Sequence, residues 1–235
     1  MVAVLRHELS LYYHSLSGYV FGAFLLAFTG IGALIYNINA SVANFEYVLS
    51  FIQVVFIIIV PILTMRIIAD EKRQRTDQLL YSLPISTSDI VVGKFMALLI
   101  VFLIPMVLIC VYPLIFSVYG DVYLPTSYGS IFAFVFLGLA LISIGMFISS
   151  LTESQGMAAG ICVVVMLLNY FCVQIGNTIP NETVQKVFRQ ISLFERFTLF
   201  YNGVFDLTAI VYYISVIAFF LFLCVQSLEK RRYKG

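Results

Sequence analysis

Tyr47-Val48-Leu49-Ser50-Phe51-Ile52-Gln53-Val54-Val55-Phe56-Ile57-Ile58-Ile59-Val60-Pro61-Ile62-Leu63-Thr64-Met65 runs without a charge and stops at Arg66. A helix needs about 20 apolar residues to cross a hydrocarbon core of about 30 Å, so this stretch has the length of one crossing. A membrane β-strand would alternate apolar and polar residues over about 10 positions. Phe56 to Val60 does not alternate. With no water in the hydrocarbon, each backbone group must pair within its own segment, which makes this segment a helix.

Further charge-free stretches cover 9–45, 95–120, 122–152, 154–181 and 207–228. The predicted fold is therefore an all-α integral membrane domain over 1–235. Its spans lie near 18–38, 47–65, 94–117, 128–150, 156–176 and 207–228. Composition agrees. The 235 residues are 62% hydrophobic and 11% charged, against about 25% charged in a soluble domain. That excludes a water-soluble enzyme, and it excludes a disordered chain, which needs low hydrophobicity and high charge. The net charge of +1 gives no basic excess for nucleic acid.

Cys110, Cys162, Cys172 and Cys224 each stand alone in an apolar run, with no C-x-x-C spacing for zinc or redox chemistry. His7 and His14 both precede the first span, so no histidine metal cluster is available. No internal repeat is visible, which argues against a pseudo-symmetric single-chain transporter.

Orientation follows from Lys and Arg. An even number of spans puts both termini on one side, together with Arg6, the 66–94 segment and the C-terminal Lys230, Arg231, Arg232 and Lys234. That side carries ten basic residues, and the other carries Lys186, Arg189 and Arg196. Both termini are predicted to be cytoplasmic, in an inner or plasma membrane.

Before the first span, Leu5, Leu9, Tyr12 and Leu16 recur at helical spacing, beside Arg6, Ser10, Tyr13 and Ser17. This reads as an interfacial helix on the inner leaflet. A merely helical cytoplasmic tail is the alternative. On the outer side, Val184, Val187, Phe188 and Ile191 form an amphipathic pattern. Ser192-Leu193-Phe194-Glu195 then matches a capping box, which starts a second short helix near 193. Its Phe194, Phe197, Phe200 and Tyr201 suggest that it dips into the outer interface. Asn181-Glu182-Thr183 is formally a glycosylation sequon.

The polar island between spans two and three is Arg66-Ile67-Ile68-Ala69-Asp70-Glu71-Lys72-Arg73-Gln74-Arg75-Thr76-Asp77-Gln78-Leu79-Leu80-Tyr81-Ser82-Leu83-Pro84. It reads as a charged helix over 66–83, with Asp70–Arg73 and Arg73–Asp77 as side-chain pairs. Pro84 would end it. Ser86, Thr87, Ser88 and Asp89 offer N-caps for the next helix, and Lys94 is placed to snorkel toward headgroups. A plain topology hairpin is the bland reading. A structured helix that keeps Leu79, Leu80 and Leu83 at its end points to a docking protein instead.

The string Arg66-x-x-Ala69-Asp70-Glu71-Lys72-Arg73-x-x-Thr76-x-x-Leu79-Leu80-x-Ser82-Leu83-Pro84-Ile85, continuing to Gly93-Lys94-Phe95, resembles the cytoplasmic hairpin of type-2 ABC transporter permeases. Phe197-x-x-Phe200-x-x-Gly203-Val204-Phe205-Asp206-Leu207 and the closing Leu228-x-x-Arg231-Arg232 are similar to the gliding-motility-type branch of that family. The resemblance implies an exporter subunit. Two permease chains, identical or different, form the path, and two separate ABC ATPase subunits bind below. An additional accessory subunit is also compatible. The hairpin would be the coupling element, with Asp70, Glu71, Arg73, Thr76, Leu79 and Leu80 contacting or positioning the ATPase. This chain would bind no cofactor of its own; ATP and Mg would sit on the partner.

No G-x-x-x-x-G-K-[ST] motif occurs, and Gly93-Lys94 lacks both the earlier glycine and the following Ser or Thr. No G-x-S-x-G or H-E-x-x-H motif supports an intramembrane enzyme. No arginine ladder supports a voltage sensor. The rival reading is a membrane-anchored accessory or immunity subunit that docks without forming a path. Gly18 with Gly22, and Gly156 with Gly160, form G-x-x-x-G pairs that allow close helix approach. They serve packing within the chain or, as the family resemblance implies for spans one and five, a dimer contact. Glu153 reads as an inner turn residue and Asp206 as a helix N-terminal charge. Asn37, Gln53, Asn169 and Gln174 are the polar exceptions inside the spans. The scarcity of charge within the spans favours an amphipathic or lipidic cargo over a strongly charged ion.

Overall fold

The computed structural model describes residues 1–40, 42, 44–76, 86–179 and 181–232. Among them every regular element is helical: α1 Val2–His14, α2 Leu16–Gly32 with a π-helical continuation Ala33–Asn39, α3 Glu46–Thr64, α4 Ala69–Gln74, α5 Thr87–Ile109, α6 Tyr112–Tyr119, α7 Leu124–Leu151, α8 Gln155–Asn177, α9 Glu182–Ile191, α10 Leu193–Tyr201 and α11 Leu207–Arg232. Six helical stretches are long and apolar enough to cross a membrane: Leu16–Asn39, Glu46–Gln74, Thr87–Tyr119, Leu124–Leu151, Gln155–Asn177 and Leu207–Arg232.

The fourth span is the axis of the bundle. Its most apolar window is 78% buried, against 17% for span five and 22% for span six. Its small residues explain the central position. A Cβ on Gly138 would collide with the Phe102 ring of span three, and one on Gly145 would collide with Thr64 at the end of α3. Spans two and three can therefore approach α7 closely along the face that carries both glycines. Phe56 fills the space between them, 5.8 Å from the Phe102 ring and 4.6 Å from Phe134.

Two spans depart from regular helix. The first becomes π-helical at Ala33, where the Asn37 amide donates to the carbonyls of Val42 (2.7 Å) and Asn44 (3.3 Å) in the following turn. The third, expected as one helix over 94–117, breaks at Cys110–Val111. Pro113 has no N–H to bond the carbonyl four residues back. The Tyr128 hydroxyl donates to the Cys110 carbonyl at 3.2 Å beside that break.

The segment between spans five and six forms the two short helices that its pattern predicts. Ser192 Oγ accepts from the Glu195 amide at 3.2 Å, which is one half of the capping box. The Ser192 N–H bonds the Phe188 carbonyl, so the reciprocal half is not made. The expectation that α10 dips into a lipid interface needs correcting. Phe194, Phe197 and Phe200 are buried within the protein, and Phe197 lies edge-on to Phe134 of span four at 5.7 Å. The chain entering α10 is stitched from spans five and six: Asn169 Oδ1 accepts from the Leu193 amide (3.0 Å), Tyr213 donates to the Leu193 carbonyl (2.8 Å) and Tyr212 donates to the Ile191 carbonyl (2.9 Å). Asp206 accepts from the Thr208 amide at 2.9 Å and so opens α11 as a cap. The Thr208 hydroxyl and amide hold the Asp206 carboxyl below its ordinary range.

Candidate functional site

The charged island meets the bundle in a buried polar cluster at one end of the fold. Span two ends at Thr64, turns through 65–68 and resumes as α4. That turn exposes amides that a helix start leaves without intrahelical partners. Ser149, one turn from the end of span four, takes them. Its Oγ accepts from the Ile68 (3.3 Å) and Ala69 (3.1 Å) amides and donates to the Met65 carbonyl at 3.2 Å. Lys72 turns under α4 and donates to the Ser150 carbonyl. That carbonyl also accepts from Ser227 of span six at 3.2 Å. A cation at the C-terminal end of span four complements the unpaired carbonyls there.

The expectation that Lys94 snorkels toward headgroups is overturned. Lys94 is 1% exposed, and its Nζ donates to Glu8 Oε1 (2.5 Å), Glu71 Oε1 (2.6 Å) and the Ile67 carbonyl (3.0 Å). An ammonium has three protons, and all three have acceptors. The N-terminal helix is bound into the same cluster. Its buried face is Val4, Glu8 and Tyr12, with Leu5 and Leu9 half-buried beside it. Val4 packs on Gly93, where an added Cβ would lie 3.2 Å from it. The Tyr12 hydroxyl donates to the Leu63 carbonyl at 3.0 Å, and burial drives that phenol far above its ordinary pKa. Arg66 reaches Ser17 at the start of span one.

Among the described residues the helix expected over 66–83 starts later and is interrupted, and 77–83 lie outside them. It occupies Ala69–Gln74, and Arg75 adopts a left-handed conformation at φ 57°. The Thr76 amide bonds the Glu71 carbonyl at 3.0 Å, and the Arg75 amide bonds the Lys72 carbonyl at 3.3 Å. This is a Schellman ending, so α4 stops at Gln74.

The predicted site residues separate into groups. Asp70 pairs with Arg73 at 3.2 Å and with Arg66 at 3.8 Å. Arg73, Gln74, Arg75 and Thr76 are exposed. Glu71 turns inward to Lys94. Leu79 and Leu80, with Asp77, Leu83 and Pro84, lie outside the described residues. Gly18 packs within the chain, 3.0 Å from the Tyr12 carbonyl for an added Cβ, whereas Gly22, Gly156 and Gly160 face open space. Glu153 pairs with Arg231 at 2.8 Å at the α4 end of the bundle, and that hydrogen bond holds its carboxyl below the ordinary range. Sequence reading missed Glu8 and Ser149. Glu8 had one signal: it is the sole acid before Glu46, and a lysine inside a span needs a counter-charge.

The sequence over residues 25–228, most of the chain, matches the family model of ABC-2 family transporter proteins, and the chain belongs to that family. No curated protein matches it. The matched range covers all six spans except the first turns of span one and the last turn of span six, and it includes α4. Glu8 and α1 precede it. Members of the family are the membrane-spanning, permease components of ABC transporters, which implies an ABC ATPase as partner.

Proposed function

From that membership we propose that this chain forms the translocation path of an ABC exporter, with a second permease chain, and couples to the ATPases through α4 and the segment that follows it. Asp70, Arg73 and Thr76 offer the polar docking face, and Leu79 and Leu80 the apolar anchor. Glu71 acts from beneath, by holding α4 to Lys94. One observation carries this reading: the end of α4 and the two residues after it, Arg73–Thr76, are exposed, while the opposite side of α4 is tied to spans three and four and, through Lys94, to α1. An ATPase pressing on the exposed face moves a helix that cannot slip relative to the spans.

On this reading both termini are cytoplasmic, and ATP and Mg bind the partner ATPases. The open glycines of span five, Gly156 and Gly160, contribute to the permease dimer. The Phe197–Leu207 segment supports the gliding-motility-type branch.

The test is co-purification in mild detergent of the tagged chain from its native membrane. The expected outcome is a near-stoichiometric P-loop ATPase, lost in the Leu79→Glu/Leu80→Glu variant. Arg73→Ala should separate ATP hydrolysis from transport at equal expression, because Arg73 is exposed and contributes little to the fold. Recovery of the chain in good yield without an ATPase would put the accessory-subunit reading first.

A further inference from the structure

The end of the bundle opposite α4 holds a cavity of about 290 Å³. The 19 residues of α3 separate it from the charged cluster by about 28 Å at 1.5 Å per residue. Glu46 and Tyr47 enter it from the first turn of α3, Tyr123 from the residue before α7, and Tyr201 and Asn202 from the end of α10. The Tyr47 and Tyr201 rings stand at 86° with centroids 5.4 Å apart, so they make two walls at a right angle.

Glu46 is 5% exposed. One carboxylate oxygen accepts from the buried Ser127 hydroxyl at 2.8 Å. Among the described residues no second hydrogen bond and no lysine or arginine reaches that carboxylate. The contrast with Glu8 and Glu71, which share Lys94, is direct. The N-terminal end of α3 offsets part of the cost of burying the charge. It leaves a carboxylate oxygen turned to a cavity walled by aromatic rings.

Aromatic faces attract cations within about 6 Å of the ring centroid. A hard metal ion would need six or more oxygen ligands, and the described residues hold no group of acidic, histidine or cysteine side chains able to bind one. The volume falls just under the roughly 300–1,000 Å³ of ordinary small-molecule sites, so it suits a headgroup rather than a whole amphiphile.

We propose that this cavity binds a small organic ammonium group, with Glu46 as counter-ion and Tyr47, Tyr123 and Tyr201 as walls. The group belongs to a free amine or to the head of a lipid. The site does not depend on ATPase docking at α4.

The experiment titrates the full chain, in nanodiscs of phosphatidylglycerol, with tetramethylammonium chloride and separately with sodium chloride at equal ionic strength, by calorimetry. Saturable binding of tetramethylammonium alone is expected, weakened at least 10-fold by Glu46→Gln. Tyr123 is 72% exposed, so Tyr123→Leu tests the site without disturbing the fold, and it should weaken binding about 2- to 30-fold, the range for one ring. Absence of saturation, equal heats from sodium, or wild-type binding by Tyr123→Leu would overturn the proposal. Repeating the titration in phosphatidylcholine nanodiscs identifies the source. A lowered apparent affinity supports a lipid headgroup, and an unchanged one supports a soluble amine.

Discussion

Replacing Lys94 with methionine removes the cation between two carboxylates and shortens the side chain by a single atom. Glu8 and Glu71 have side-chain exposures of 5% and 22%, so Glu8 is held from water and Glu71 reaches it only in part. Breaking a buried ion pair by removing one partner costs about 3–5 kcal/mol, most of it from the charge left behind. In a chain of this size 1 kcal/mol moves the melting temperature by about 2–4 °C. Lys94→Met should therefore melt roughly 6–20 °C lower. The chain has no tryptophan, but Cys162 and Cys224 are 1% and 0% exposed. With the half-buried Cys110 and Cys172 replaced by alanine in every protein compared, a thiol-reactive fluorogenic dye in detergent therefore reports unfolding. Glu8→Gln should cost much less, because Lys94 keeps Glu71. Replacing Glu8, Lys94 and Glu71 together with apolar residues of similar size should restore most of the lost stability, since no buried charge remains. A Lys94→Met protein that melts within about 2 °C of wild type would refute the reasoning.

Four further substitutions have outcomes set by the geometry. Gly145→Ala places a methyl group against Thr64 and should cost about 1–3 kcal/mol. Gly160→Ala meets open space and should gain up to about 1 kcal/mol in detergent, with the same dye assay comparing the two. Arg75→Gly relieves a left-handed residue and should raise stability by about 1 kcal/mol; a lower melting temperature would mean that the Arg75 side chain holds the turn. Asp206→Ala removes the cap on span six and should cost about 0.5–1 kcal/mol at neutral pH. Because the Asp206 carboxyl is depressed in the fold, its contribution is complete above the ordinary carboxylate range and is lost as pH falls through the lower folded value. Wild type and variant should then converge in stability below about pH 4.

The six spans were legible because one physical requirement, about 20 uncharged residues per crossing, governs them all. The Ser192 and Ser86 caps were legible because their chemistry is local; Ser86 Oγ accepts from the Asp89 amide at 3.2 Å. The limits of α4 were not. Its start is set by Ser149, about 80 residues away in sequence, and its end by a left-handed arginine, a residue type that carries no C-cap signal. The glycines told a similar story. Gly156-x-x-x-Gly160 has the familiar spacing but faces open space, whereas Gly138 and Gly145, seven apart on one face of span four, make the closest approaches. Lys94 read as an interfacial lysine because its two carboxylates come from elements 86 and 23 residues distant, and no local pattern joins them.

The chemistry of the cluster bears on how a push on α4 would travel. An apolar contact beneath α4 would hold it at many nearby positions, because dispersion is weak per atom pair and non-directional. An ammonium with three protons on three acceptors holds one. Displacing α4 by a single hydrogen-bond length breaks Lys94–Glu71, Lys72–Ser150 and the Ser149 bonds together. The lower-cost motion carries span three through Lys94 and span four through Ser149 and Ser150, with α1 following through Glu8. Span six is joined to this unit by Ser227 and by the Arg231–Glu153 pair, whereas span five, 17% buried in its apolar window, is the span most open to a second chain. A helix locked in this way behaves as a lever fixed to spans three and four. On that account the apolar triple replacement of Glu8, Lys94 and Glu71 should fold and bind the ATPase, yet transport poorly.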